Sequence, residues 1–275
     1  MAKKNLTLDW YPVGTGPYML TENNPNRVMV LERNPNFHGE AYPNEGAPAD
    51  AEAGLLADAG KPLSFIDKVV YTLEKEAVPR WNKFLQGYHD ASGIASDTFD
   101  QAVRFGAGGE AMVTEGMRNQ GIRLSASVAL ASYYMGFNML DSVVGGMSER
   151  ARTLRQAISI AVDYEEYVSI FLNGRGIPAQ GPIPPGIIGF RDGQAGINPV
   201  VYSWDGKALQ RKPLEAAIQL LAEAGYPNGL DAKTGAPFVL YFDAISRNAE
   251  DKSMFDWFTQ QFAKISLQLE VRPTD

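Results

Sequence analysis

Cysteine is absent from the chain. Disulfides, thiolate nucleophiles and Cys-based zinc or iron–sulfur sites are thereby excluded. Histidine is scarce. His38 and His89 are the only two, far apart in sequence, and neither sits in a metal-ligand spacing. Both read as surface or hydrogen-bonded histidines. No apolar run approaches the about 18–20 residues of a membrane helix. Positive charge is also in short supply: 25 Lys and Arg stand against 32 Asp and Glu, a net charge of -7 at pH 7. No basic run is longer than two residues, as at Lys3-Lys4. Affinity for a polyanion needs clustered Lys and Arg, so a nucleic-acid partner is not expected. No leader-like segment opens the chain, because Met1-Ala2-Lys3-Lys4-Asn5 runs straight into a polar stretch. An exported form is expected to have had its targeting segment removed or replaced.

What is present suits a soluble globular chain. The 275 residues are enough for one large or two ordinary domains, with 45% hydrophobic and 21% charged residues. Residues 5–75 read as β-rich. Arg27 to Leu31 is a short apolar run ended by the turn signal Asn34-Pro35-Asn36, and Phe65 to Leu73 is a strand rich in β-branched and aromatic residues. Residues 39–62 lack periodicity and read as a surface excursion. A helix is expected from about Val78 to Gln86, with Pro79 in its first turn and Gly87 as its stop. Residues 98–120 read as a broken helical stretch, interrupted by Gly106-Ala107-Gly108-Gly109 and closed by Gly121. Ile122 to Met139 reads as strand.

The second half carries stronger signals. A helix is expected over 148–172, with Ser148 as N-cap, a stripe of Leu154, Ile158, Ala161, Val162 and Val168, and Asn173-Gly174 at its end. Residues 174–206 are rich in Gly and Pro and read as a long structured loop. Pro213 opens a helix to about residue 224, which Gly225 and Pro227 end. Phe238 to Phe242 reads as strand, 249–265 as helix with a stripe of Phe255, Phe258, Phe262 and Ile265, and Leu267, Leu269 and Val271 as an alternating strand. Helix, helix, strand, helix, strand argues for an α/β fold.

Candidate chemistry is thin. Gly14-Thr15-Gly16-Pro17 is followed by no helix, so it reads as a turn and not as a phosphate cradle. Gly106 to Gly109 lacks the Lys and Ser/Thr of a phosphate loop. The acidic pairs Glu74/Glu76, Glu165/Glu166 and Glu250/Asp251 read as solvated faces. No Gly-x-Ser-x-Gly, His-Glu-x-x-His or Ser-x-x-Lys motif occurs, so neither an enzyme nor a cofactor or metal is expected. Tyr133, Tyr134 and Phe137 fall together beside Gly136 and Asn138. Such a cluster either walls a pocket or packs a core.

Six segments in order resemble a known family. Val13 to Leu20, followed by Leu31 to Phe37, resembles its GTGPY…ERNPNY segment. Lys83 to Asp90 sits where the family has Leu-x-x-Gly-Glu-Ile-Asp, with His89-Asp90 here in place of Ile-Asp. Tyr134 to Asn138 is similar to YLGFN, and Leu154 to Asp163 to VRQAISYAID. Gly174 to Gly186 is similar to its Gly-Pro-rich GPIPPG loop, and Leu220 to Pro227 to LLAEAGYP. On these segments the chain resembles the oligopeptide/dipeptide-binding family of extracytoplasmic solute-binding proteins, family 5, the receptors of ABC importers.

The resemblance implies an α/β fold, as an internal piece of a two-lobed periplasmic binding protein. Residues 1–127 would belong to the lobe that bears both chain ends, and 128–275 to the opposite lobe. Upstream and downstream parts of the family, including the segment whose acidic residue pairs with a peptide amino terminus, would lie outside the chain, which by itself would hold ligand weakly. The implied partners are a peptide or other small solute and the ABC permease subunits, with membrane contact only through the transporter. Ser92, Gly93 and Ile94, next to Ala91, match a stretch that lines the ligand cleft of relatives. Tyr134 matches a position that faces ligand, and Asn138 is a ligand candidate whose amide can also bond backbone. A sensor or scaffold that contacts another protein is the alternative reading.

Overall fold

A computed structural model describes residues 7–105, 111–127, 129–246 and 249–274. The chain divides into two compact units, one ending at Lys75 and the other starting at Glu76.

The first unit is built on one antiparallel sheet. Strands β1 (Tyr18–Asn24), β2 (Val28–Arg33) and β3 (Lys68–Thr72) lie in that order. Val30, buried in the middle strand, stands opposite Glu22 and Val70. Asn34 ends β2 by donating from its amide to the Gly16 carbonyl, 2.9 Å, while its Oδ1 accepts from Asn36 N, 3.0 Å. The expected surface excursion holds one short helix, α1 (Pro48–Glu52), whose Asp50 accepts from Ala47 N at 2.8 Å.

The second unit opens with α2 (Ala77–Leu85), and Gly87 stops it as the sequence implies, at φ +79° with Tyr88 N donating to the Lys83 carbonyl. Residues 98–120 differ from the expected broken helix. They fold as a short helix α3 (Phe99–Ala102), a hairpin of β4 (Val103–Phe105) and β5 (Ala111–Val113), and a one-turn helix α4 (Glu115–Asn119). The β-branched and aromatic residues Val103, Phe105 and Val113 favour the pleated surface. Gly106 to Gly109 lie outside the described residues. Trp81, Phe99, Ala102, Val103 and Met117 form a small core here.

The strand expected over 122–139 is not formed among the described residues. The side-chain alternation survives: Met135 and Phe137 pack on the core while Tyr134 and Gly136 point out. A strand also needs a neighbour for its N–H and C=O groups, and no described strand pairs with this stretch.

The expected helix over 148–172 is two helices, α5 (Glu149–Ala161) and α6 (Tyr164–Leu172). Ser148 caps the first, accepting from Ala151 N at 3.2 Å. The break comes at Val162, extended at φ -86°, ψ 119°, and at Asp163, whose carboxylate accepts from Glu166 N at 2.9 Å. Asp163 is thus an N-cap for α6. Arg211 fixes the break from outside, donating from Nη1 to Asp163 Oδ2 at 2.9 Å and from Nη2 to the Ile160 carbonyl at 2.5 Å. One guanidinium thereby satisfies both the cap and an orphan carbonyl at the end of α5.

The Gly/Pro-rich loop after α6 is present but ends sooner than expected. Tyr202–Trp204 forms β6, paired with β7 (Leu209–Arg211) across an Asp205-Gly206 turn. Asp205 Oδ1 accepts from both Lys207 N and Ala208 N at 2.8 Å, and Gly206 takes φ +100°. Helix α7 (Leu214–Glu223) follows, with Gly225 at φ +89° closing it. A βαβ unit ends the chain: β8 (Val239–Ile245), α8 (Ala249–Ala263) and β9 (Gln268–Thr274), with the two strands parallel. The main core lies where α5, α7, α8 and the start of β9 meet, around Leu154, Ile160, Leu221, Phe262, Ile265 and Leu267.

Candidate ligand-binding site

A cavity of 770 Å³, open to solvent, lies inside the second unit. This volume falls within the about 300–1,000 Å³ of small-molecule sites. It is lined by segment 133–138, by β8 with its preceding Phe238, and by Ile158, Ser159 and Val162 from the end of α5. Pro178, Ala179, Asn198 and Val201 close it from the Gly/Pro-rich loop.

The loop that follows segment 133–138 is held by its own short polar side chains. Asn138 Oδ1 accepts from Leu140 N at 3.0 Å. Asp141 Oδ1 accepts from Val143 N at 2.8 Å and Val144 N at 2.9 Å. Those backbone donors, Val144 first and Val143 second, hold the Asp141 carboxyl below the usual carboxylate range. Gly145 is required here, since a Cβ would lie 2.4 Å from the Asp141 carbonyl oxygen. Arg155 braces the loop from α5, donating to the carbonyls of Val144, 2.7 Å, and Gly146, 3.0 Å.

Two phenols, Tyr164 and Tyr202, also line the cavity. The Tyr202 hydroxyl donates to Glu165 Oε1 at 2.7 Å. Burial, and then this bond to a carboxylate, push its pKa far above 10. Burial also raises Tyr164. Both stay neutral and offer oxygen and ring surface. At the rim Arg272 Nε meets Asp243 Oδ1 at 2.9 Å and its guanidinium lies 4.6 Å from the Tyr241 ring centroid. The lining therefore offers aromatic surface, two side-chain amides, one anionic carboxylate and one internally compensated ion pair. Among the described residues no group of three His, Asp or Glu could hold a metal. Ser159, in the lining, donates its hydroxyl to the Arg155 carbonyl at 2.8 Å. This is equipment for holding a molecule by shape and hydrogen bonds.

The family model for bacterial extracellular solute-binding proteins, family 5 Middle, matches residues 1–275. The chain belongs to this family. Among curated relatives, the family 5 chain is 23% identical over 275 residues to heme-binding protein A of Haemophilus influenzae, a match covering 97% of this chain and 38% of that protein. It is also 23% identical to the glutathione-binding protein GsiB of Escherichia coli, over 100% of this chain and 42% of that protein. It thus spans about two fifths of the length of these relatives. The oligopeptide-binding protein AppA of Bacillus subtilis, solved in complex with a nonapeptide, superposes with a TM-score of 0.63 at 18% identity, over 96% of this chain and 43% of that one. The α/β fold of a periplasmic binding protein expected from the sequence is borne out by this likeness and by the mixed helix and strand content.

The structure divides the residues singled out from the sequence into two groups. Tyr134 and Asn138 line the cavity, Tyr134 with 86% of its surface exposed. Ser92, Gly93 and Ile94 do not line it. Ser92 Oγ donates to the Gly93 carbonyl at 3.0 Å, and the Ile94 carbonyl accepts from Arg175 Nη1 at 3.3 Å. Sequence reasoning did not single out Asp141, Tyr164 or Tyr202. Glu165 and Glu166, read as a solvated pair, instead accept from Tyr202, 2.7 Å, and Gln261, 2.6 Å. The Asx-type spacing of Asn138 and Asp141 before Gly145-Gly146 was the available signal for that loop.

Proposed function

We propose that this chain supplies ligand-contacting surface of the substrate-binding component of an ABC importer. It captures a peptide or a similar small solute outside the cytoplasm, in the periplasm or an equivalent space, and makes or breaks no bond. Family membership over residues 1–275 is the observation that carries this reading. The 770 Å³ cavity supports it, with exposed Tyr133 and Tyr134 beside amides and a carboxylate. Two relatives are named for glutathione and heme, and a structural neighbour was solved with a nonapeptide, so the class of ligand is broad. In this reading Tyr134 and Asn138 contact ligand from one side. Ser92, Gly93 and Ile94 contact it from the other, through backbone groups that serve any peptide sequence. Residues 1–127 and 128–275 then belong to opposite lobes whose closure buries the solute and presents a shape to the permease subunits. Membrane contact is through the transporter alone.

Amide-resolved NMR titration of the chain tests this, with glutathione, a mixed-sequence nonapeptide, haem and a trisaccharide as probes. Nonapeptide or glutathione is expected to shift resonances of the 133–144 segment, weakly for the chain alone. No perturbation there by any of the four probes overturns the proposal.

A further inference from the structure

The C-terminal end of α6 is tied to a segment far away in sequence. A helix leaves its last carbonyls without partners, and at an exposed end water ordinarily takes them. Here the Phe171 carbonyl accepts from the Ser96 hydroxyl at 2.5 Å, across 75 residues. The Leu172 carbonyl accepts from Arg175 Nε at 2.9 Å, and Arg175 Nη1 reaches on to the Ile94 carbonyl at 3.3 Å. The guanidinium carbon lies 4.7 Å from the ring centroid of Phe99, which is buried in the small core of Trp81 and Met117. No carboxylate of the described residues forms an ion pair with Arg175, so its charge is spent on carbonyl dipoles and a ring face. Lysine has neither the planar fork nor the flat face for this set of contacts.

The same junction carries an uncompensated loss. Asn173 takes the left-handed helix-end conformation at φ +50°, and its Oδ1 is buried with no hydrogen-bond partner. A buried acceptor without a partner lowers the stability of the helix end that carries it. Two side-chain hydrogen bonds and one ring contact cross between the 91–99 segment and the end of α6, set against the unpartnered acceptor at that end. Such a balance suits a contact that forms and releases.

We propose that Ser96 and Arg175 form a reversible latch between the 91–99 segment and the end of α6. Arg175 is its positioning residue, fixing where the backbone of Ile94 stands. Its role in ligand capture rests on the function proposed above. There the latch joins the segment of Ser92, Gly93 and Ile94 to the part that bears the cavity, and its release is the step that lets ligand leave.

Hydrogen–deuterium exchange of the chain without ligand tests the latch independently of any ligand. Arg175→Ala is expected to speed exchange about tenfold in 91–99 and at the end of α6, leaving α5, α7 and α8 unchanged. Ser96→Ala is expected to produce a smaller rise in the same peptides, and Arg175→Lys to recover only part of the protection. Unchanged exchange over 91–99 in Arg175→Ala, or a rise spread evenly through 76–274, overturns the proposal. If the local rise is seen while all four probes fail to bind, the latch stands and the ligand-capture reading falls.

Discussion

Replacing Gly229 with alanine is a sharp test of the packing, because the structure separates the two effects involved. Gly229 sits at φ +74° between α7 and β8, and a Cβ built on it would lie 1.8 Å from the Ser266 carbonyl oxygen. Gly225, four positions earlier, has φ +89°, and its nearest contact for a Cβ is Arg150 Nε at 3.6 Å, an ordinary distance. Alanine in the left-handed region costs about 1–2 kcal/mol at either site. At Gly225 little else is expected. At Gly229 the backbone of Ser266 must also move. That displacement pulls on the bond from Phe238 N to the Gly229 carbonyl, 2.7 Å, and on the bond from Leu267 N to the Phe262 carbonyl, 3.1 Å. Loss of one such buried bond costs about 1–3 kcal/mol. Gly229→Ala is therefore expected to cost about 2–5 kcal/mol and Gly225→Ala about 1–2 kcal/mol. Against a typical total of about 5–15 kcal/mol, the first takes a large share of the stability. Urea unfolding followed by tryptophan fluorescence measures both, since Trp257 is buried in the same core. If the two variants fall within about 0.5 kcal/mol of each other, the steric reasoning at Ser266 is refuted.

Two further outcomes follow from local chemistry. Ser148→Ala removes the side-chain acceptor for Ala151 N and is expected to lower stability by about 1 kcal/mol, read from the same urea titration; Ser148→Gly should lose less. Asp141 has its carboxyl pKa lowered from 3.8 by the Val144 and Val143 amides, so the folded state binds its proton less readily than the unfolded state. Its contribution is then present above the ordinary carboxylate range and is lost as pH falls through the folded pKa. Asp141→Asn is expected to flatten the loss of melting temperature as pH falls below the ordinary carboxylate range, and an unchanged acid limb would show that these amides do not stabilise the carboxylate.

Elements whose signals are local were readable from the residues. Ser148 announced the start of α5, and Pro213 and Gly225 bounded α7. The apolar spacing of Phe255, Phe258, Phe262 and Ile265 gave α8 its inner face between the two strands. Elements set by distant partners were not readable. The break between α5 and α6 hides inside a helical pattern because Asp163 becomes a cap with the help of Arg211, 48 residues further on. The hairpin of β6 and β7 was submerged in a Gly/Pro-rich composition that its Asp205-Gly206 turn shares. Residues 122–139 have the alternation of a strand, but a ladder depends on a neighbour that alternation cannot supply. The cavity shows the same division. Its aromatic wall at Tyr134 and its amide at Asn138 were visible as a cluster. Asp141, Tyr164 and Tyr202 were not, because their roles depend on loop closure and on contacts from other elements.

The part of the chain between α4 and α5 that, among the described residues, joins no helix or sheet has a consequence for how the chain is cut. A protease binds its substrate as an extended strand, pairing with backbone groups that a helix or sheet would already have engaged. Arg123, Tyr133 and Tyr134 are exposed on backbone of that kind, whereas the cores on either side are closed. Brief trypsin or chymotrypsin digestion should therefore nick the chain there first. The two products would remain associated while the Ser96 and Arg175 contacts are closed, and would part as those contacts release.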